Sequence, residues 1–435
     1  MLGARRREPA VAAAAPGSLR RALAALCVTE IVSYGVIYYA FPVLAAQITA
    51  GTGWSRTAVT AAYSAGNLAG AAAGVPAGRL LQRYGPRAVM TAGSVLGAAA
   101  VAGIAAAPSY WWFLGAWLAA GVASAGLFYP PAFAALTAWY GPRRVQALTA
   151  LTLAAGFAST IFAPLASTLA GQLSWRGVYL VLAAVLALVT IPAHALGLRP
   201  PWPAQPRQSP VQPPDEETRA DRAGDCQVLA SRAFLQFVTA ATLCAFAQYA
   251  ALVSLVPLLT GRGVSPGLAA WALGLGGAGQ VAGRLGYRAL EARTGTRTRA
   301  AAVIAAGAGV TLLLGLLPGP AALLVAASVL AGAVRGVFTL TEATLVADWW
   351  GADRYAVING VFNAPLTAAG AIAPAAGAGI ATLTGSYPAM FAVLAAVAAT
   401  GAVLAGTAPS PERAGLAARP GGLGEARGEL PDATA

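Results

Sequence analysis

Gly78-Arg79-Leu80-Leu81-Gln82-Arg83-Tyr84-Gly85-Pro86-Arg87 joins two apolar runs, residues 58–78 and 88–106. Each run is about as long as the 20 or so residues needed to cross the hydrocarbon of a bilayer. Gly85 permits a tight turn. Pro86 suits the first position of a helix, where its missing N–H costs nothing. Arg83 and Arg87 can sit at lipid phosphates or at helix C-termini. A loop that was merely basic would account for the charges but not for the glycine spacing. The segment reads as a tight basic turn between two membrane helices.

Composition extends that reading to the whole chain. The 435 residues are 58% hydrophobic and 10% charged, against about 25% charged in ordinary soluble domains. Mean hydropathy is +0.66. So much apolar surface cannot be hidden in a water-soluble globule of this size, which excludes a soluble enzyme, a nucleic-acid-binding domain and a disordered chain. The fold class is an all-α integral membrane protein with twelve transmembrane helices. Their expected positions are near 22–46, 58–78, 88–106, 111–135, 146–170, 178–197, 233–260, 267–287, 299–317, 321–346, 356–382 and 388–407. The net charge of +13 comes from 28 basic residues, all of them Arg, against 15 acidic ones. With the N-terminus in the cytoplasm, Arg56, Arg176 and Arg262 fall on the external side, Arg335 falls inside a span, and every other Arg is cytoplasmic. This is a strong positive-inside bias. Trp54, Trp111, Trp112, Trp139, Trp175, Trp349 and Trp350 fall at span ends, as an interfacial belt. The first span is too long for a signal-peptide core, so no cleavage is expected.

Residues 199–230 break the apolar pattern with a Pro-rich and then charged stretch, read as a disordered cytoplasmic linker. The expected domains are a six-helix bundle over 1–198, this linker, a second bundle over 231–408, and a disordered tail over 409–435. The two halves repeat. Gly51, Gly53 and Ser55 recur at a spacing of 210 residues as Gly261, Gly263 and Ser265, and Pro164 recurs as Pro374. Trp139-Tyr140-Gly141 recurs as Trp349-Trp350-Gly351 at the same spacing. Ala77-Gly78-Arg79-Leu80 recurs at 282–285, at a spacing of 205. Two repeated bundles with a midplane site between them are a secondary-transporter architecture.

Three ionisable residues lie inside spans: Glu30, Arg335 and Glu342. Such residues are costly in a membrane, and function is the first hypothesis for them. Glu30 lies about 13 Å and Arg335 about 16 Å along their helices from the cytoplasmic ends, at 1.5 Å per residue. Both are therefore near the midplane, on helices of opposite halves. Glu342 shares a helix face with Arg335. The planar fork of Arg335 suits a carboxylate. A carboxylate withdrawn from water can hold a proton at neutral pH, which makes Glu30 the titratable partner. The alternative is a permanent Glu–Arg structural pair, or two residues each satisfied locally. Tyr34 and Tyr38 follow Glu30 on one face. Pro130-Pro131 after Tyr129 should bend the fourth helix. Gln248 and Tyr249 lie mid-span, and Asn359 and Asn363 form an i, i+4 pair. Each of these polar residues can equally be an interhelical hydrogen bond. His194 beside Pro192 reads as structural. Cys27, Cys226 and Cys244 have no paired spacing, so neither a disulfide nor a metal site is expected, and no cofactor is implied.

The opening stretch resembles the signature loop between the second and third helices of the major facilitator superfamily. Gly78, Leu80, Arg83, Gly85 and Arg87 match its pattern, and Arg79 lies within it. Gln82 occupies the position where the family carries an acid, so the charge network that gates the cytoplasmic side is weakened or rebuilt here. The resemblance implies two pseudo-symmetric six-helix bundles rocking about a cavity lined by helices 1, 4, 7 and 10. Gly53-Trp54-Ser55-Arg56-Thr57 and Ser174-Trp175-Arg176 are similar to the monocarboxylate and oxalate/formate branch. The functional expectation is proton-coupled transport of a small organic anion such as a monocarboxylate. Its partners would be the substrate, protons and the lipid bilayer, with no nucleic acid. A monomer in the plasma or inner membrane, with both termini cytoplasmic, is expected. The alternative is proton-driven efflux of drugs or secondary metabolites. Ala163-Pro164-Leu165-Ala166-Ser167 keeps only the proline of the antiporter element of the fifth helix, which counts against efflux. A membrane-bound enzyme or a sensor lacks any supporting constellation.

Overall fold

The computed structural model describes residues 16–202, 226–350 and 355–409. The N-terminal segment, most of the linker, Gly351 to Arg354 of the Trp-Gly repeat and the tail beyond Pro409 lie outside the described residues. Span 1 is built from Pro16–Ser33, a π-helical turn Tyr34–Tyr39, and Ala40–Thr52. The helix Arg56–Ala105 contains spans 2 and 3, broken at Gly85. Span 4 is Tyr110–Leu127 and Tyr129–Tyr140, and span 5 is Arg144–Ala155 and Ala158–Ala170. Span 6 is Trp175–Gly197. Spans 7 to 12 are Arg232–Thr260, Pro266–Glu291, Thr296–Leu316, Ala321–Trp350, Tyr355–Thr384 and Tyr387–Gly406. Among the described residues, ten stretches are long and apolar enough to cross a membrane. One of them is the double helix 56–105, and span 8, diluted by Gly, Gln280 and Arg284, completes the twelve.

Serines start many of these helices. Ser55, Ser109, Ser174, Ser231, Ser265 and Ser386 each accept a hydrogen bond from the backbone N–H three residues on, satisfying donors that a helix start leaves free. Gly53 and Gly263, with φ of 74° and 81°, make the same left-handed turn ahead of spans 2 and 8. Arg176 donates to the Ala105 carbonyl at 2.7 Å, and Arg262 to the Leu314 carbonyl at 2.6 Å. These two arginines cap the C-terminal ends of spans 3 and 9.

The signature stretch is more helical than a loop reading suggests. Span 2 continues through Gly78 to Tyr84, because Leu80, Leu81, Gln82 and Arg83 are all adequate helix formers. Only Gly85, at φ 77° and ψ 169°, leaves helical geometry. Arg83 stacks over the Tyr84 ring at 5.1 Å. The first linker residues pack on this turn: the Trp202 indole N–H donates to the Gln82 carbonyl at 3.3 Å, and Trp139 donates to the Pro201 carbonyl at 3.2 Å.

Close helix packing repeats between the halves. A side chain at Gly121 on span 4 would overlap the Gly66 carbonyl of span 2, and one at Gly332 on span 10 would overlap the Gly276 carbonyl of span 8. Gly66 and Gly276 stand 210 residues apart. This is the small-residue contact that lets membrane helices approach without a hydrophobic driving force. Within the first bundle, Phe41, Tyr63 and Trp117 form a buried aromatic core, with the Phe41 and Tyr63 rings stacked at 4.1 Å.

Candidate functional site

The bundles meet along two flanks, spans 2 with 11 and spans 5 with 8, with spans 1 and 7 also in contact. The halves exchange spans 2 and 8, and spans 5 and 11, so the two flanks are equivalents. They share one level of latching, since Gly274 stands 210 residues from Ser64, and differ beyond it. On the first flank the Ala375 N–H donates to the Ser64 hydroxyl at 3.1 Å, the Thr57 and Thr382 hydroxyls lie 3.5 Å apart, and Arg56 donates to the Tyr387 hydroxyl. These contacts sit toward the end opposite the Arg-rich turns. On the second flank the Thr160 hydroxyl donates to the Gly274 carbonyl at 2.8 Å, and Arg284 donates to the Thr152 carbonyl at 2.7 Å. This latch reaches toward the Arg-rich end. At a spacing of 210, Gly74 stands where Arg284 stands, and Gly74 lines open space.

Between the flanks lies a cavity in two joined lobes of about 240 and 390 Å³, both bounded by Tyr34, Tyr38, Ala245, Tyr249 and Glu342. The smaller lobe also receives Arg335, Arg284, Gln248, Tyr39 and Tyr129. A third space of about 520 Å³, bordered by Pro42, Gln47, Arg56 and Trp271, opens on the opposite side of the Tyr38–Val43 segment.

The sequence-based site residues divide accordingly. Tyr34, Tyr38, Gln248, Arg335 and Glu342 come together at the cavity. Glu30 lies one layer behind it, fully buried beside Tyr34, Tyr129 and Cys27, and neither carboxylate oxygen has a hydrogen-bond partner among the described residues. Arg335 and Glu30 do not pair; among the described residues the one ion pair joins Arg299 to Asp348. Asn363 donates to the Asn359 carbonyl and side-chain oxygens at 3.0 and 2.9 Å and borders neither lobe. Gln248 donates to the Cys244 sulfur at 3.1 Å. Gly78, Arg79 and Arg83 lie on the last turns of span 2, and Gly85 and Arg87 at the break that follows it, all outside the lining of either lobe. His194 is structural: its ring nitrogens bond the Ser94 and Thr29 hydroxyls at 2.8 and 2.9 Å, tying spans 1, 3 and 6.

Arg284 and Tyr39 are cavity residues that the sequence does not single out. Arg284 counts among the cytoplasmic arginines, yet it lies within span 8 and borders the cavity with Tyr129 of the other bundle. Tyr39 reaches the cavity through the π turn. An α-helix would turn it about 100° from Tyr38, whereas the i to i+5 bonding of a π turn sets it one wide turn from Tyr34. The backbone of this turn presses on span 5, where a side chain at Gly35 would overlap the Phe162 ring. Among the described residues no cluster of His, Cys, Asp or Glu could hold a metal ion.

No curated protein matches the chain. Among solved structures, two of a bacterial homolog to the human lysosomal transporter Spinster share its fold. The inward-facing, unoccupied form has a TM-score of 0.65, 16% identity, and coverage of 90% of this chain and 95% of that one. The inward-facing, occupied form has a TM-score of 0.64, 16% identity, and coverage of 90% and 94%. The family model of the Major Facilitator Superfamily matches residues 26–322 and 238–430. Two repeated six-span bundles closing on a central cavity, together with that match across nearly the whole chain, make this protein a member of the Major Facilitator Superfamily, a multi-pass membrane transporter and not an enzyme.

Proposed function

We propose that the protein is a proton-coupled secondary transporter of a small organic anion, working by alternating access. The observation that carries the reading is the charge of the cavity: two guanidiniums, Arg335 and Arg284, against the single carboxylate of Glu342. A low-dielectric cavity with excess positive charge favours an anion, and the guanidinium fork matches a carboxylate. Arg335 is the primary anion ligand. Glu30 and Glu342 are the proton-carrying groups, one behind the tyrosine wall and one on it. The Arg-rich end faces the cytoplasm in the plasma or inner membrane, following the positive-inside bias, and the protein works as a monomer.

The test is internal pH in proteoliposomes challenged with small carboxylates and, separately, with lipophilic cations. Carboxylate-dependent proton movement that disappears in Arg335→Gln supports the reading. Proton movement with cations alone replaces it with efflux, a reading that the tyrosine wall and Glu342 would also serve.

A further inference from the structure

The smaller lobe is walled by five tyrosines: Tyr34, Tyr38 and Tyr39 from span 1, Tyr129 from span 4 and Tyr249 from span 7. They do not form one closed stack. Tyr34 lies flat on Phe128 at 4.0 Å and near Tyr129 at 5.0 Å. Tyr38 meets Tyr39 and Tyr249 edge-on, at 5.1 and 6.4 Å, and stands 6.4 Å from Tyr34 at 72°. The five rings therefore form one linked chain of contacts along the lobe, Tyr129 to Tyr34 to Tyr38, and from Tyr38 to Tyr39 and Tyr249. Three of these rings come from a single turn of span 1, and the third is there only because that turn is π-helical. A π turn is rare and is frequently found at functional sites. An aliphatic acid of a few carbons would need only the arginines and would leave most of this ring surface without a partner.

We infer that the substrate is an aromatic carboxylate, its carboxylate on Arg335 and its ring held against the tyrosine wall. This rests on the organic-anion reading above and narrows it. The lobe's volume of about 240 Å³ exceeds the roughly 150 Å³ cavity that takes a benzene molecule. Aromatic rings gain from offset and edge-to-face contacts beyond the area they bury, so a flat unsaturated ring is preferred over a saturated one of similar size. Tyr249 is the ring contributed by the second bundle, so a bound ring bridges the two bundles and links occupancy to their relative position.

The experiment is equilibrium binding of benzoate, cyclohexanecarboxylate and acetate to the purified full chain in nanodiscs, by calorimetry. Benzoate is expected to bind about tenfold more tightly than cyclohexanecarboxylate, the gain of one to two aromatic contacts, and acetate more weakly than either. Tyr38→Leu and Tyr249→Leu should remove the preference between the two rings, and Tyr38→Phe and Tyr249→Phe should restore it, which separates a lost ring from a misfolded protein. Equal affinity for benzoate and cyclohexanecarboxylate, with binding abolished by Arg335→Gln, overturns the aromatic inference and leaves the organic-anion reading standing. Binding of none of the three acids overturns both.

Discussion

At the scale of single residues, the membrane sorts polar groups into those that find partners and those that do not. His194 finds two, the hydroxyls of Ser94 and Thr29. Removing it leaves both hydroxyls without that partner in a fully buried place. His194→Ala is expected to lower stability by about 1–2 kcal/mol, seen as a lower melting temperature in detergent, with anion binding retained. Glu30 finds none among the described residues. An ionised, unpartnered carboxylate is very costly away from water, so its place beside Tyr34 and Tyr129 suits a group that gains and loses a proton during transport. Glu30→Gln keeps the shape and removes the titration. The variant is expected to bind the anion while failing to move protons with it, measured as calorimetric binding alongside a flat internal-pH trace. Normal proton movement in this variant would assign coupling to Glu342 instead.

At the scale of elements, much of the architecture was legible because the bilayer imposes simple requirements. Apolar length, Arg distribution and the 210-residue repeat are visible in a string of letters, and the Ser55/Ser265 caps and Gly53/Gly263 turns follow that repeat. Glu30, Arg335 and Glu342 were visible because a charge inside an apolar run is an anomaly. Arg284 falls in the expected span 267–287, but its Ala-Gly-Arg-Leu context repeats Arg79 at a spacing of 205, which sets it among the cytoplasmic arginines. The packing spacing of 210 pairs it with Gly74 instead, inside the span. Tyr39 was hidden for a different reason, since periodicity assumes α geometry and the π turn is a property of the backbone. The glycine contacts are the most local consequence of helix packing and can be tested by contrast. Gly121→Ala forces a methyl into the Gly66 carbonyl and is expected to cost about 1–3 kcal/mol or more. Gly115→Ala, on the same span with nothing within 4 Å, is expected to be neutral or stabilising by up to about 1 kcal/mol. The two melting temperatures, measured side by side, separate packing from helix propensity.

At the scale of the whole molecule, the staggered flanks set what must move. A pair of bundles with true twofold symmetry would carry equivalent latches on both flanks. Here both flanks are held at the equivalent Ser64 and Gly274 level, but beyond it the span 2–11 flank is held at Thr57 and Arg56, and the span 5–8 flank at Arg284. The cavity lies between these levels, with Gly74 and Leu366 bordering it on the side where spans 2 and 11 part. Alternating access then requires the first flank to open at the Thr57–Thr382 level and close at the Gly74–Leu366 level. Cysteines at Thr57 and Thr382 replace hydroxyls only 3.5 Å apart, so Thr57→Cys with Thr382→Cys, in a chain freed of Cys27, Cys226 and Cys244, should cross-link on oxidation. The cross-linked protein is expected to lose turnover and regain it with reductant, because the bond holds shut the level that must open. It should still bind the anion, since the cavity lies beyond the latch. Full transport by the cross-linked protein would mean that this flank stays closed throughout the cycle, and would place the moving contact at Arg284 and Thr152.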